Sequence, residues 1–348
     1  MSMSPLHRVL ITIALTEEEQ QQLQRDFPAV HFEFRPVEKA AAIPEEIWQD
    51  TEILLVGPST AHLPQPEQVP ALRWVQLYSA GANKLLQNPL FQRDITFTTA
   101  SGVHATNIAE YVMTTVLAWY HHLPQLLDLQ HQRIWADSWW HNHKQYPVRM
   151  PEELRGKTMG IIGYGSIGRE LARQAHAFGM HIVAQQQSKD HRDYGFIFPG
   201  TGDPEGSIPE RYYTTDELYE LLQVSDVVVL ALPLTSQTYH LINAKTLNAM
   251  KSNAFLVNIA RGEICDEPAL IDALKEQRIV GAALDVTEHE PLPADNPLWH
   301  LPNVYLTPHI SGLTPHYQER VLAIFSANLR RYQKGESLYN AVDKQKEY

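Results

Sequence analysis

Three side chains in the last third of the chain have the types that carbonyl chemistry needs: Arg261, Glu290 and His309. Each follows a short apolar run that reads as a buried strand. Phe255-Leu-Val-Asn-Ile259 precedes Arg261, Ala282-Ala-Leu-Asp285-Val286 precedes the loop holding Glu290, and Val304-Tyr-Leu-Thr307 precedes His309. Ligands of an open parallel sheet bind beyond the carboxyl ends of its strands. The pattern therefore predicts that a guanidinium, a carboxylate and an imidazole converge. The guanidinium fork can grip a carboxylate and polarise the carbonyl beside it. The imidazole can supply or remove a proton, and a neighbouring carboxylate favours its charged form. That combination suits reduction of a 2-oxo acid. Taken singly, each residue has a plainer explanation: a surface cation, a solvated acid, a capping histidine. Their coincidence at three strand ends is what points to chemistry.

Those strands need a partner that brings reducing equivalents, and one stretch supplies it. Lys157-Thr-Met-Gly-Ile-Ile-Gly163-Tyr-Gly165-Ser-Ile-Gly168 reads as a strand, a glycine turn and a helix start. Leu171, Ala172, Ala175 and Phe178 continue at helical spacing until Gly179, and His181-Ile-Val-Ala184 begins another strand. Strand, G-x-G-x-x-G turn, helix and strand together mark a dinucleotide site. Gly163 allows the tight turn, Gly165 lets the backbone approach a pyrophosphate, and Gly168 lets helix and sheet pack closely. Free N–H groups at the helix start then face the phosphates. Chains that use NAD usually place Asp or Glu at the end of the second strand, for the ribose 2′-OH. Here that strand runs out in Gln185-Gln186-Gln187-Ser188-Lys189, with Arg192 beyond. The missing acid and the two nearby cations favour NADP over NAD; the alternative is a solvated loop whose cations touch nothing.

Length and composition bound the rest. A chain of 348 residues exceeds one typical core, so two domains are expected. Lys and Arg number 28 against 40 Asp and Glu, a net −12 that argues against nucleic acid or an anionic membrane as a general partner. One cysteine, Cys265, allows no internal disulfide and fits a reducing, cytoplasmic setting. The apolar run near the start is too short for a membrane span and is followed at once by Glu17-Glu18-Glu19, so it reads as a first strand.

In chain order, Val9–Leu15, Glu52–Val56, Trp74–Tyr78 and Ile95–Thr98 read as strands of a small α/β unit. Its turn Ser79-Ala80-Gly81-Ala82-Asn83 follows a strand, where N–H groups can cradle an anion; an ordinary loop explains it equally. Thr106 to His122 reads as a helix with Ile108, Val112, Thr115, Val116 and Trp119 on one side, and Pro124 restarts the chain after it. The aromatic run Ile134 to His143 suits a pocket wall or a subunit contact. His141 and His143 lack the Cys or acidic neighbours of a metal site, so no metal is expected. Asp190 to Tyr213 is polar and irregular and reads as a surface loop. Leu218–Leu222 and part of Thr235 to Lys251 read as helices around the buried strand Asp226 to Pro233.

These residues resemble the D-isomer-specific 2-hydroxyacid dehydrogenase family. The matching text is Gly163 to Gly168, Leu256-Val-Asn-Ile-Ala-Arg-Gly-Glu-Ile-Cys-Asp-Glu-Pro-Ala-Leu270, Gly281 to Pro293, Pro297-Leu-Trp299 and Asn303 to Gly312; Ser79 to Gly81 and Gly102 to Glu110 fit as well. The resemblance implies Arg261, Glu290 and His309 as the catalytic set, with N–H groups of Ala80 and Gly81 helping Arg261 hold the substrate carboxylate. It implies a cofactor site of Gly163, Tyr164, Gly165, Ser166, Ile167, Gly168 and Gln186. Leu232 and Pro233 belong on the adenosine side; Ile259, Ala260, Asp285 and His309 on the nicotinamide side. It implies an α/β fold of two Rossmann-like or flavodoxin-like parallel-sheet domains, with a dinucleotide-binding domain, 103–312, inserted into a substrate domain, 1–102 and 313–348. Closure by hinge motion, a homodimer and a small 2-oxo or 2-hydroxy acid substrate of glyoxylate or hydroxypyruvate type are further implications. Phosphoglycerate and formate dehydrogenases share the scaffold, though the latter is expected to pair its histidine with an amide rather than Glu290. A dinucleotide-sensing corepressor is the alternative from another class.

Overall fold

In the computed structural model the described residues are 7–36, 42–57, 63–82, 88–135 and 150–343. The chain divides into two compact units. One comprises Met1–Val103, Tyr194–Phe196 and Thr314–Tyr348; the other comprises His104–Asp193 and Ile197–Leu313. Both are α/β units with all-parallel sheets.

The first unit is built on five strands: β1 (His7–Ile11), β2 (Val30–Phe34), β3 (Ile53–Val56), β4 (Trp74–Leu77) and β5 (Thr96–Thr98), in the order β2-β1-β3-β4-β5. β3 and β4 are buried along their whole length, as central parallel strands covered on both faces must be. Between β1 and β2 runs α1 (Glu17–Asp26), opened by a reciprocal capping box of Thr16 and Glu19. The short helix α2 (Glu45–Asp50) precedes β3. β1 ends at Ile11, earlier than the apolar run to Leu15 suggests. β2 was not anticipated, because Val-His-Phe-Glu-Phe alternates only briefly beside a Gln-rich helix.

The second unit opens with α3 (Ala105–Tyr120), then α4 (Leu123–His131), whose Pro124 lies in the first helical turn. Ile108, Val112 and Val116 of α3 are buried, along the face that spacing predicts. The dinucleotide motif folds as β6 (Thr158–Ile162), α5 (Ser166–Ala177) and β7 (His181–Gln185). Then follow β8 (Arg211–Tyr213), α6 (Leu218–Val224), β9 (Val227–Leu230), α7 (Ala244–Ala249), β10 (Phe255–Asn258), α8 (Glu267–Lys275), β11 (Gly281–Leu284) and β12 (Val304–Leu306). Strand order is β12-β11-β10-β9-β6-β7-β8, so the progression reverses between β6 and β9. Such a switch point opens a crevice at the carboxyl ends of the strands. Packed on the two faces are separate cores, one centred on Leu221, Leu256 and Leu274, the other on α3, Ile161 and Leu171.

The last helix, α9 (Tyr317–Gln333), belongs to the first unit, where Phe325 stacks on Trp74 at 5.4 Å. The stretch from Asp190 to Tyr213 is not a plain surface loop. It ends in β8, buries Asp203 at 4% exposure, and lends Tyr194–Phe196 to the first unit, where the Phe196 N–H donates to Asn340. Of the aromatic run, only Ile134 and Trp135 are described; Trp139, Trp140, His141 and His143 lie outside the described residues, as does Asn83.

Candidate active site

The glycine turn sits at the switch point. Gly163 has φ +100°, and a Cβ there would come within 2.5 Å of the carbonyl oxygen of Ala231, just past β9. Only glycine permits that approach. A Cβ on Gly168 would meet the Gly163 carbonyl oxygen at the same distance, so α5 is pressed onto the turn. A Cβ on Gly165 would meet nothing within 4 Å. The turn thus has a packed side and an open side, and the open side has the bare backbone that a pyrophosphate needs; the residues present fit a dinucleotide. Ser166 and Ile167 are half-buried at the start of α5, and Leu232 and Pro233 follow β9 on the other side of the crevice. Tyr164 turns its side chain inward, 4% exposed, and donates its hydroxyl to Asp203 at 2.7 Å, so only its backbone is left for a ligand. Burial pushes its phenol well above the usual range, and acceptance by Asp203 adds to this.

On the neighbouring strands the three expected side chains stand at the same sheet edge: Arg261 after β10, Glu290 after β11 and His309 after β12. His309 Nδ1 lies 2.8 Å from Glu290 Oε2, with the two side chains 50% and 40% exposed. The pair is accessible, as a proton-transferring group must be. His309 has φ +54°, a left-handed backbone uncommon outside glycine, and its loop is tied down on both sides. Its N–H donates to the Asp285 carbonyl at 2.8 Å. The Asp285 side chain, 1% exposed, accepts from Thr307 Oγ1 at 2.6 Å and from the N–H groups of Ile310 at 2.9 Å and Ser311 at 3.0 Å. One carboxylate therefore fastens both shoulders of the histidine loop. The family resemblance puts Asp285 beside the nicotinamide; in the structure its oxygens also accept three donors of the histidine loop. Tyr111 of α3 joins Thr307 at 2.7 Å; burial and the Asp285 charge push its phenol up to about 12, against the opposing effect of the Thr307 bond.

Arg261 is held from behind. Asn258 donates to the Arg261 carbonyl at 2.9 Å and accepts from the Ala260 N–H at 3.1 Å, while Ile259 and Ala260 are buried. Arg261 is exposed as a residue, with Nη1 donating to the Ala260 carbonyl at 2.6 Å. Gly262 makes the loop possible: a Cβ there would lie 2.0 Å from the Thr287 carbonyl carbon. The arginine loop is thus pressed directly against the loop that carries Glu290. Cys265 lies behind it, 3% exposed, with Asn258 Nδ2 3.7 Å from its sulfur; burial pushes the thiol up to about 12.

Gln186, at the end of β7, donates its N–H to Tyr213 and has Oε1 3.4 Å from His191 Nδ1. No acid occupies the position. Arg192, one of the two cations expected to favour a 2′-phosphate, pairs with Glu205 at 3.2 Å on the exposed surface; Lys189 is exposed as well. In the first unit, Ser79 donates its hydroxyl to the Gly81 carbonyl at 2.8 Å, closing the turn at Ala80 and Gly81. Reading the sequence missed Asn258, Thr307, Tyr111, Arg169 and Asp203. Asn258 and Thr307 sit inside the matched motifs and were legible there; Arg169 and Asp203 lie far apart in sequence and show their partnership only in space.

A parallel sheet with a glycine turn at its switch point, and an exposed His–Glu pair on the same edge, defines a dinucleotide-dependent oxidoreductase. Residues 113–311 match the model of the D-isomer specific 2-hydroxyacid dehydrogenase, NAD binding domain. The chain is 34% identical over 279 residues to a glyoxylate reductase of Thermofilum pendens, covering 80% of this chain and 77% of that one. It is also 34% identical over 262 residues to an (S)-sulfolactate dehydrogenase of Chromohalobacter salexigens, covering 75% and 78%. Among solved structures, a D-isomer specific 2-hydroxyacid dehydrogenase family protein from Aeromonas salmonicida superposes with TM-score 0.74 at 28% identity, covering 97% of this chain and 99% of that one. The chain belongs to the D-isomer-specific 2-hydroxyacid dehydrogenase family. It is an NAD(P)-dependent oxidoreductase acting on a CH–OH group.

Proposed function

We propose that this protein reduces a small 2-oxo acid of glyoxylate or hydroxypyruvate type to the D-2-hydroxy acid, with NADPH preferred to NADH. The observation that carries the reading is the His309–Glu290 pair, 2.8 Å apart on the sheet edge that also bears the glycine turn. A nicotinamide dinucleotide held at the Gly163–Gly168 turn would supply the hydride for the carbonyl carbon. His309 gives a proton to the carbonyl oxygen. With Nδ1–H donated to Glu290, the ring is fixed in orientation and Nε2 is left to deliver that proton. The Arg261 guanidinium holds the substrate carboxylate and draws density from the adjacent carbonyl, its backbone kept in place by Asn258. A part for the Ala80–Gly81 turn in holding the carboxylate rests on the family resemblance alone. Relatives named as glyoxylate reductases support the substrate class. The missing acid at Gln186 supports the dinucleotide preference.

The test is oxidation of NADPH and NADH side by side with glyoxylate, hydroxypyruvate, pyruvate and a phenyl-bearing 2-oxo acid. Turnover fastest with NADPH and the two smallest acids is expected. No turnover with any pair would sink the reading, and full activity in Arg261→Ala would sink the role of that residue.

A further inference from the structure

The segment from Asp190 to Tyr213 carries more internal order than an exposed connection needs, and its contacts converge on one side chain. Arg169 of α5, with a side chain 3% exposed, donates to the carbonyl of His191 at 2.8 Å and to that of Asp203 at 2.7 Å. A second buried side chain of α5, Glu170, accepts the N–H of Gly202 at 2.7 Å. Burying charged groups is costly unless they are well bonded, and here the bonds fix the path of the segment. Its rings form a column. Tyr164, the second residue of the glycine turn, meets Tyr212 edge-on at 5.5 Å and 85°. Tyr212 in turn lies flat against the His191 imidazole at 3.6 Å and 3°. The column begins at the pyrophosphate turn and ends at His191, whose Nδ1 is 3.4 Å from Gln186 Oε1.

That end point has a meaning in this fold. In this fold a bound dinucleotide would run from its pyrophosphate at the glycine turn to its adenosine ribose at the end of β7, where an acid would take the 2′-OH. Gln186 stands there without a charge, and an imidazole edge is held beside it. Arg192 pairs with Glu205 through exposed side chains, whereas among the described residues His191 is in no ion pair and its Nε2 has no partner. Lys189 is exposed and unfixed by any comparable stack.

We propose that His191 determines dinucleotide specificity: its ring, held flat on Tyr212, donates Nε2–H to the 2′-phosphate of NADP, the Gln186 amide turning its NH2 to Nδ1, and gives that dinucleotide its advantage over NAD. This rests on the reading of the glycine turn as the dinucleotide site. Tyr212 and Arg169 are positioning residues, one fixing the plane of the ring and the other its backbone. A hydrogen bond to an ionised acceptor is of the strong kind, and a ribose hydroxyl offers no such acceptor, so the interaction discriminates.

Equilibrium titration calorimetry on the full chain with NADP+, NAD+ and 2′,5′-ADP tests this without turnover. The wild-type protein should bind NADP+ the more tightly. His191→Ala should raise Kd for NADP+ and 2′,5′-ADP by about tenfold or more while moving Kd for NAD+ by less than about threefold. Tyr212→Leu, which removes the stack, should move the same ratio in the same direction, and His191→Lys should restore tight NADP+ binding. Should His191→Ala not fold, His191→Gln carries the same thresholds. Equal weakening of both dinucleotides, no change in either, or a wild type that prefers NAD+ overturns the proposal. A wild type that binds no dinucleotide at all refutes instead the reading of the glycine turn.

Discussion

Asp285→Asn isolates what holds His309, the proton donor of the proposed reaction, in place. The substitution keeps shape and volume but turns one oxygen into a donor. In the wild type, one oxygen accepts from Thr307 Oγ1 and the Ile310 N–H, and the other from the Ser311 N–H. If the amide oxygen takes the first place, its NH2 faces the buried Ser311 N–H. If it takes the second, Ser311 is satisfied, and the Thr307 hydroxyl can reverse because Tyr111 Oη is at hand to accept its proton; the Ile310 N–H still loses its acceptor. Either way one backbone donor is orphaned and the remaining bonds lose their charge, a cost of roughly 2–3 kcal/mol. For a unit of this size that lowers the Tm of its transition by roughly 5–10 °C. The histidine loop loses a fastening on one side, and misplacement of a catalytic group by about 1 Å costs on the order of a hundredfold in kcat. Thermal denaturation, steady-state kinetics and dinucleotide titration should therefore show a lowered Tm and kcat with dinucleotide affinity kept. Wild-type Tm with weakened dinucleotide binding would refute the reasoning and make Asp285 a cofactor contact instead.

Other expectations concern separate parts of the molecule. His309→Gln should lower kcat by about 10² to 10⁴-fold, and Glu290→Gln by less, because its amide oxygen can still accept from Nδ1; equal losses in stopped-flow single turnovers would contradict that order. Gly262→Ala should give a protein that folds poorly or melts well below wild type, since the added methyl overlaps the Thr287 carbonyl carbon; circular dichroism melts decide it. Burial alone would raise the Asp203 carboxyl, but the Ile208 and Ser207 N–H groups, the Tyr164 hydroxyl and nearby Arg169 outweigh it and hold the group below the usual carboxylate range. Its stabilisation is thus full above the unfolded value, near pH 4, and lost as pH falls through the lower folded value. Asp203→Asn should melt below wild type at pH 7, with the gap closing only below about pH 4; a gap that widens on acidification would contradict the assignment.

Much of this site was legible because its parts are local. The glycine turn, and Arg261, Glu290 and His309 just past apolar runs, each declare themselves within about a dozen residues, and parallel-sheet geometry brings the strand ends together. Order within the Asp190–Tyr213 stretch was not legible for the opposite reason. Its composition is polar, and what organises it is Arg169, which sits inside the α5 pattern and looks there like a solvent-facing residue. β8 is three residues long and exists through its pairing with β7. Asp285 was visible as a motif residue, but which groups its oxygens bind depends on how the backbone turns at Ile310 and Ser311, and no spacing rule gives that.

The single cysteine has a practical consequence. Cys265 lies under the arginine loop, its thiol protonated at neutral pH and shielded from solvent. A thiolate is the reacting species in alkylation and disulfide exchange, so the native chain is chemically silent toward thiol reagents. Labelling then proceeds only through openings of that loop or of the whole unit. Its rate is a built-in clock for motion around Arg261, requiring no engineered probe, and a bound substrate that grips the guanidinium should slow it.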